Sequence, residues 1–309
     1  MQTSSVVVSF EGRPSRPVWL KRWLRGETLT AWIFILPSLV GFVVFYAVPA
    51  VRGLMISFTD WDMLTPAKFI GFENYVRMVK DPDFWNALKV TSQFVFWNIS
   101  VQTVLALLIG VLMNRLAKST AIRSILLLPW LLSNVVVSLL WMWLLDPTLG
   151  IVNVSLKALG LHSVAFLGLP QTAITTLAMI TVWRYAGYTS LLIFAGMQTI
   201  DQNVYEAAAV DGASEWTIFW KITLPLMRPV LAFVMVSSII GSFQIFDIVA
   251  ITTKGGPINS TKVFNWLIYE QAFVRFNMGY ATALSVVLFL ILALVSAFQM
   301  RLFRAGEAD

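Results

Sequence analysis

Chemistry-bearing side chains are scarce in this sequence. It has no cysteine and a single histidine, His162, so disulfides, CxxC metal sites, thiol catalysis and a histidine-based metal site or triad have little to build on. What remains is a scatter of polar residues inside long apolar stretches. Arg184 stands in VWRYAGY and Asp247 in SFQIFDIVA, each the only charge in its stretch. An unpaired cation at mid-bilayer costs about 2.5–3.5 kcal/mol even on an insertion scale, so Arg184 is expected to face protein or a water-filled cavity. Asp247 is expected near the outer end of its helix, capping it or lining a mouth, and too far along for direct pairing with Arg184. Tyr188, Ser238, Ser242 and Gln244 could supply an aromatic face and fixed hydrogen-bond groups, which suit the ring and hydroxyls of a sugar. Ser238 and Ser242 share a helix face, and as small residues they equally suit close helix packing. Asn98 with Gln102, and Asn134, read as interhelical hydrogen-bonding groups.

A second concentration of charge lies in YEAAAVDGASEWTIFWKITLP, residues 205–225, where Glu206, Asp211 and Glu215 follow Asp201 between two apolar stretches. Its alanines favour a first helix, Gly212 can supply a left-handed stop, Ser214 can cap a second helix, and Pro225 ends that helix or marks the start of the next span. Ala207, Ala208, Trp216, Phe219 and Trp220 give the pair an apolar side. A hairpin lying on lipid would be basic rather than acidic, so a protein partner is expected.

These residues must be held by membrane spans. With 58% hydrophobic and 12% charged residues, 13 Trp and 22 Phe, the chain cannot expose its side chains to water as a soluble domain does. Gaps between charges predict an all-α integral membrane fold with six transmembrane helices, near 30–56, 90–114, 122–145, 172–198, 229–251 and 277–300, within a membrane domain at 29–303. Arg13, Arg16, Lys21, Arg22 and Arg25, then Arg115, Lys118 and Arg123, then Arg301 and Arg304 fall on one side of such a bundle. By the positive-inside rule that side is cytoplasmic, as are both termini, the tail at 1–28, the end at 304–309 and the hairpin at 203–225. The tail lacks a hydrophobic core segment and reads as a cytoplasmic extension rather than a signal peptide. The net charge of +6 is then a topology signal and not a nucleic-acid footprint.

The acidic stretch resembles the EAA loop of ABC importer permeases, in which Glu-Ala-Ala, three residues, Gly and nine residues precede Ile, any residue, Leu-Pro; Glu206, Ala207, Ala208, Gly212, Ile222, Leu224 and Pro225 match each element. FIGFENYVRM at 69–78, SFQIFDIVAITTKGGP at 242–257 and YEQAF at 269–273 are similar to the carbohydrate-uptake, maltose-permease branch, and to the first subunit of its permease pairs. The resemblance implies a type I importer permease in a bacterial or archaeal cytoplasmic membrane. It implies as partners a second permease, two ATPase subunits and an extracytoplasmic solute-binding protein. In such a complex the hairpin, with Asp211 at its turn, docks on the ATPase and Glu206 lies near a basic residue there.

The chain has no G-x-x-x-x-G-K-[ST] loop, and GGPINSTK at 255–262 imitates it only loosely. No enzymatic activity, metal or cofactor is therefore expected of this chain, with ATP and Mg²⁺ held by the partner ATPases. Tyr188, Ser238 and Ser242 match positions of the family's membrane sugar site, whereas Tyr185 and Ile245 stand where that pattern has glycine and asparagine, which argues for a solute other than maltose. A permease for glycerol phosphate or its diesters would suit Arg184. An ion-coupled secondary transporter would need midplane ion sites or an internal repeat, and neither is visible.

Overall fold

The computed structural model describes residues 26–116 and 119–305. The expected tail up to residue 25 with its basic residues, Lys118, and residues 306–309 lie outside these. Packing divides the chain into two units, Met1–Met55 and Ile56–Asp309. The first contains most of helix α1, built from Gly26–Phe42, a π-helical turn at Val43–Ala47 and Val48–Ile56. The wide turn has a local cause. The Val48 amide donates to the Val43 carbonyl five residues back, immediately before Pro49, whose ring would crowd a normal α turn.

The second unit opens outside the helices with a two-residue antiparallel ladder, β1 (Thr59–Asp60) and β2 (Lys68–Phe69), pairing Thr59 with Phe69. Helix α2 (Glu73–Lys80) and α3 (Pro82–Leu116) follow. Thus the stretch between the first two expected spans carries structure, and α3 starts eight residues before the expected 90. After α3 come α4 (Thr120–Leu131), α5 (Asn134–Leu144), α6 (Ile151–Ala158) and α7 (Ala173–Met197). The stretch expected as the third span, 122–145, consists of α4 and α5, bent by 92° at Leu132–Ser133. Ser133 makes the second start possible, because its side chain accepts the Val136 amide as an N-cap.

The hairpin consists of α8 (Gln202–Val210) and α9, the latter formed by Glu215–Ile218, a π turn at Phe219–Thr223 and Leu224–Leu226. Pro225 was a candidate for ending this helix. It does not end it: the Leu224 amide reaches back to the Phe219 carbonyl, so the π turn again sits just before a proline and the helical path continues to α10 (Arg228–Phe243). Then come α11 (Asp247–Thr252), α12 (Phe264–Tyr269, with a π turn at Glu270–Val274) and α13 (Met278–Ala305), which runs through residues 304 and 305. Among the described residues, five helices are long and apolar enough to cross a membrane, or six if α4 and α5 form one bent span.

The core is built from helix faces rather than layers. Phe94 and Val90 of α3 pack with Val137 of α5, Leu177 and Ile180 of α7 and Val249 of α11. A second cluster joins Met78 of α2, Phe84 of α3, Phe264 and Leu267 of α12, and Tyr280 and Leu284 of α13. Small residues set the closest approaches, since a Cβ on Gly187 would lie 1.8 Å from the Leu126 carbonyl oxygen and one on Gly110 would lie 2.9 Å from Ile193.

The segment 253–275 is tied to the start of α3 by charge. Lys262 lies 3.0 Å from Glu270 and 3.4 Å from Asp83, and Arg275 lies 2.6 Å from Glu270. Burial alone would raise the Glu270 carboxyl, but hydrogen bonds and charge from Lys262 and Arg275 outweigh it and hold the group below its ordinary value. Lys262 is thus the anchor of the loop GGPINSTK.

Candidate functional site

Where α3, α7 and α10 face one another, with the starts of α5 and α11 closing the ring, they leave a cavity of about 430 Å³, in the size range of a small-ligand site. Arg184 and Tyr188 from one stretch of the sequence, and Ser238, Ser242, Gln244 and Asp247 from another, all line it. Asn98, Gln102 and Asn134 line it as well.

Their positions follow from two helix breaks. The first is the bend between α4 and α5, which puts Asn134 at the first turn of α5. The second is at Gln244–Phe246, where Phe246 leaves helical geometry (φ −144°, ψ −58°) and Asp247 begins a new helix. Asp247 was expected along a continuous span, far from Arg184. The break turns it back toward α7, and Asn134 bridges the two charges. Arg184 Nη1 donates to Asn134 Oδ1, and Asn134 Nδ2 donates to Asp247 Oδ2. Arg184 Nη2 donates to the Leu132 carbonyl at 2.7 Å, satisfying an acceptor that the bend frees.

The neutral polar groups are also paired across helices. Asn98 Nδ2 donates to Ser242 Oγ at 2.8 Å, Ser242 Oγ donates to the Ser238 carbonyl at 2.7 Å, and Gln102 Nε2 donates to Thr189 Oγ1 at 2.8 Å. Asn98 Oδ1 is shielded from solvent and has no protein partner. Tyr188 is held flat by Trp130, with ring centroids 4.6 Å apart and planes within 9°. Sequence reasoning missed Trp130, which stands in the uniformly apolar run LLLPWLL with nothing to mark it. Tyr185, Phe233 and Phe246 add further aromatic wall. Among the described residues, no group of three or more His, Asp or Glu is placed to hold a metal ion.

The hairpin is a separate feature. Asp201 caps α8 by accepting the Asn203 amide at 2.9 Å, and Ser214 caps α9 by accepting the Thr217 amide at 3.3 Å. Between them Gly212 takes φ +74°, with Ala213 N–H to Ala208 O at 3.0 Å and Gly212 N–H to Ala209 O at 3.1 Å, the paired bonds of a Schellman stop. Glu206, Ala207, Asp211 and Gly212 are exposed, Ala208 is buried, and Ile222, Leu224 and Pro225 are half-buried. On the apolar side the two tryptophans are not covered. Trp216 is 72% exposed and touches Trp220 edge to face at 5.6 Å.

Residues 102–305 match the family model of the binding-protein-dependent transport system inner membrane component. The chain is 34% identical to the probable ABC transporter permease protein YesP of Bacillus subtilis, over 89% of this chain and 90% of that protein. It is 32% identical to the trehalose/maltose transport system permease protein MalF of Thermococcus litoralis, over 91% and 95%. Its fold is similar to a chain of a bacterial ABC transporter involved in the import of the acidic polysaccharide alginate, with a TM-score of 0.82 at 25% identity, covering 94% of this chain and 99% of that one.

Proposed function

The chain belongs to the family of binding-protein-dependent transport system inner membrane components, and from that premise we propose that it is one of two permease subunits of an ATP-driven importer for a sugar or oligosaccharide. The observation that carries the solute class is the cavity, where a stacked tyrosine and a set of hydroxyls and amides converge. Aromatic faces cover the apolar side of a sugar ring, and the amides and hydroxyls meet its hydroxyls. A relative named for trehalose and maltose supports the same class.

The remaining parts of the machine are partners. An extracytoplasmic binding protein delivers the solute, a second permease completes the pathway, and two ATPase subunits bind ATP and Mg²⁺ and hydrolyse the nucleotide, while this chain binds no cofactor. The hairpin, with both termini on its side of the membrane, is the handle. Its exposed Glu206, Asp211 and tryptophans meet the ATPase, and closure of the ATPases moves it as a rigid body and tilts the helices between inward and outward states. An anionic solute such as a glycerol phosphate is the second reading, favoured by Arg184 in the cavity wall.

The test is ATP-dependent uptake by the complete importer reconstituted in vesicles. Tyr188→Ala removes the aromatic face offered to a sugar ring and should lower uptake by up to about tenfold, the factor carried by about 1.4 kcal/mol of lost solute contact. Ser242→Leu should fill the cavity and break the bond from Asn98, with the complex still assembled. Parental uptake in both variants would remove the cavity from the pathway.

A further inference from the structure

The charge of the cavity is set by three side chains from three helices. Arg184 of α7 donates to Asn134 of α5, and Asn134 donates to Asp247 of α11. One amide accepts from a cation and donates to an anion, so both ends of Asn134 are fixed and opposite charges lie one side chain apart. Arg184 spends further donors on Tyr185 Oη at 3.1 Å and on the Leu132 carbonyl at 2.7 Å. Its Nε is shielded from solvent. Among the described residues lining the cavity, no other is charged.

We infer that Asp247 is a specificity-determining residue: by holding Arg184 through Asn134 it keeps this wall of the pathway electrically neutral, so that an uncharged polyhydroxylated solute is accepted and an acidic one is turned away. What passes rests on the sugar-import reading; the charge balance does not. A free arginine in a low-dielectric wall would attract a carboxylate or phosphate strongly. Here the counter-charge is already built in, and an incoming anion must meet the Asp247 carboxylate as well as the guanidinium. Neutral hydroxyls face no such conflict and find Ser238 and Gln244 in the same cavity.

The chain has no cysteine, so Ser238→Cys places its only thiol in the cavity. The assembled importer, without binding protein, is labelled with an anionic sulfonatoethyl and a cationic trimethylammonioethyl methanethiosulfonate. Rates are referred to a free thiol and corrected with the complex lacking the introduced cysteine. Gln244→Cys gives a second reporter. A neutral wall should give an anion-to-cation rate ratio within about threefold of the free thiol, and adding Asp247→Asn should raise it about tenfold or more, the scale on which a charged cleft concentrates counter-ions. Asp247→Glu should restore the parental ratio. A parental cavity that already favours the anionic reagent about tenfold, or a ratio unmoved by Asp247→Asn, overturns the assignment. Labelling reads the field whatever solute is carried. A neutral cavity in an importer that takes up no sugar would therefore end the sugar reading alone, and a charged cavity in a working sugar importer would end this one alone.

Discussion

Gly187 and Arg184 lie one turn apart on α7 and show two ways in which one residue fixes neighbouring helices. Gly187 does so by having no side chain, since an added Cβ would lie 1.8 Å from the backbone oxygen of Leu126, which cannot move without moving α4. Gly187→Ala should therefore cost about 1–3 kcal/mol, the range for overpacking a fitted contact, and be seen as a lower thermal midpoint of the purified complex. An unchanged midpoint would mean that α4 gives way freely. Arg184 works by hydrogen bonds, joining the bend at Leu132 to the break before Asp247 through Asn134. The need for Arg184 to face protein was legible, because a lone cation in an apolar stretch has nowhere else to go. Its partners were not. Asn134 reads as an isolated polar residue until a bend turns it toward α7, and Asp247 looks remote while α10 and α11 are counted as one straight helix at a uniform rise.

The same contrast holds for whole elements. The hairpin was legible because each of its parts has a local cause: Asp201 and Ser214 cap, and Gly212 takes the left-handed conformation that closes α8. The breaks at Leu132–Ser133 and Gln244–Phe246 were not, for no glycine or proline stands at either, the cap by Ser133 is not marked out in its apolar surroundings, and the bonds from Arg184 to Leu132 and from Asn134 to Asp247 join residues distant in sequence. The π turns lie between these cases. Two of the three end one residue short of a proline, at Pro49 and Pro225, and are helical adjustments to its ring rather than helix ends. Gly212→Val should put a β-branched side chain into a left-handed position at a cost of about 1–2 kcal/mol, and α9 should leave the turn at a wrong angle. Glu206→Lys should set like charge against a basic partner. Both variants should insert in the membrane, since no span is altered, but should release the ATPase subunits in mild detergent or uncouple hydrolysis from uptake. Normal co-purification with parental uptake in either variant would take the hairpin out of the coupling role.

At the scale of the molecule the fold class was readable from composition and from the gaps between charges, because a bilayer leaves helices as the only open spanning structure. Sidedness rests on a different physical basis. The basic residues near the ends of the spans are placed by the positive-inside rule, which concerns how the chain inserts and leaves no trace in side-chain packing. The loops carrying Asp60, Asp62, Asp81, Asp83 and Asp146 fall on one side of the six-span scheme, and the hairpin on the other with Arg123 and Arg301. Because the chain has no native thiol, single cysteines can read this directly. Ser119, before α4, Ser214, in the hairpin turn, and Ser163, between α6 and α7, are all exposed. Cysteines at 119 and 214 should react with a membrane-impermeant maleimide only in inverted vesicles, and one at 163 only in intact cells. A residue-214 cysteine that reacts from outside the cell would place the hairpin beyond the reach of any cytoplasmic ATPase. The orientation and the handle would then fail together, while the cavity and its charge balance, which depend on packing alone, would stand.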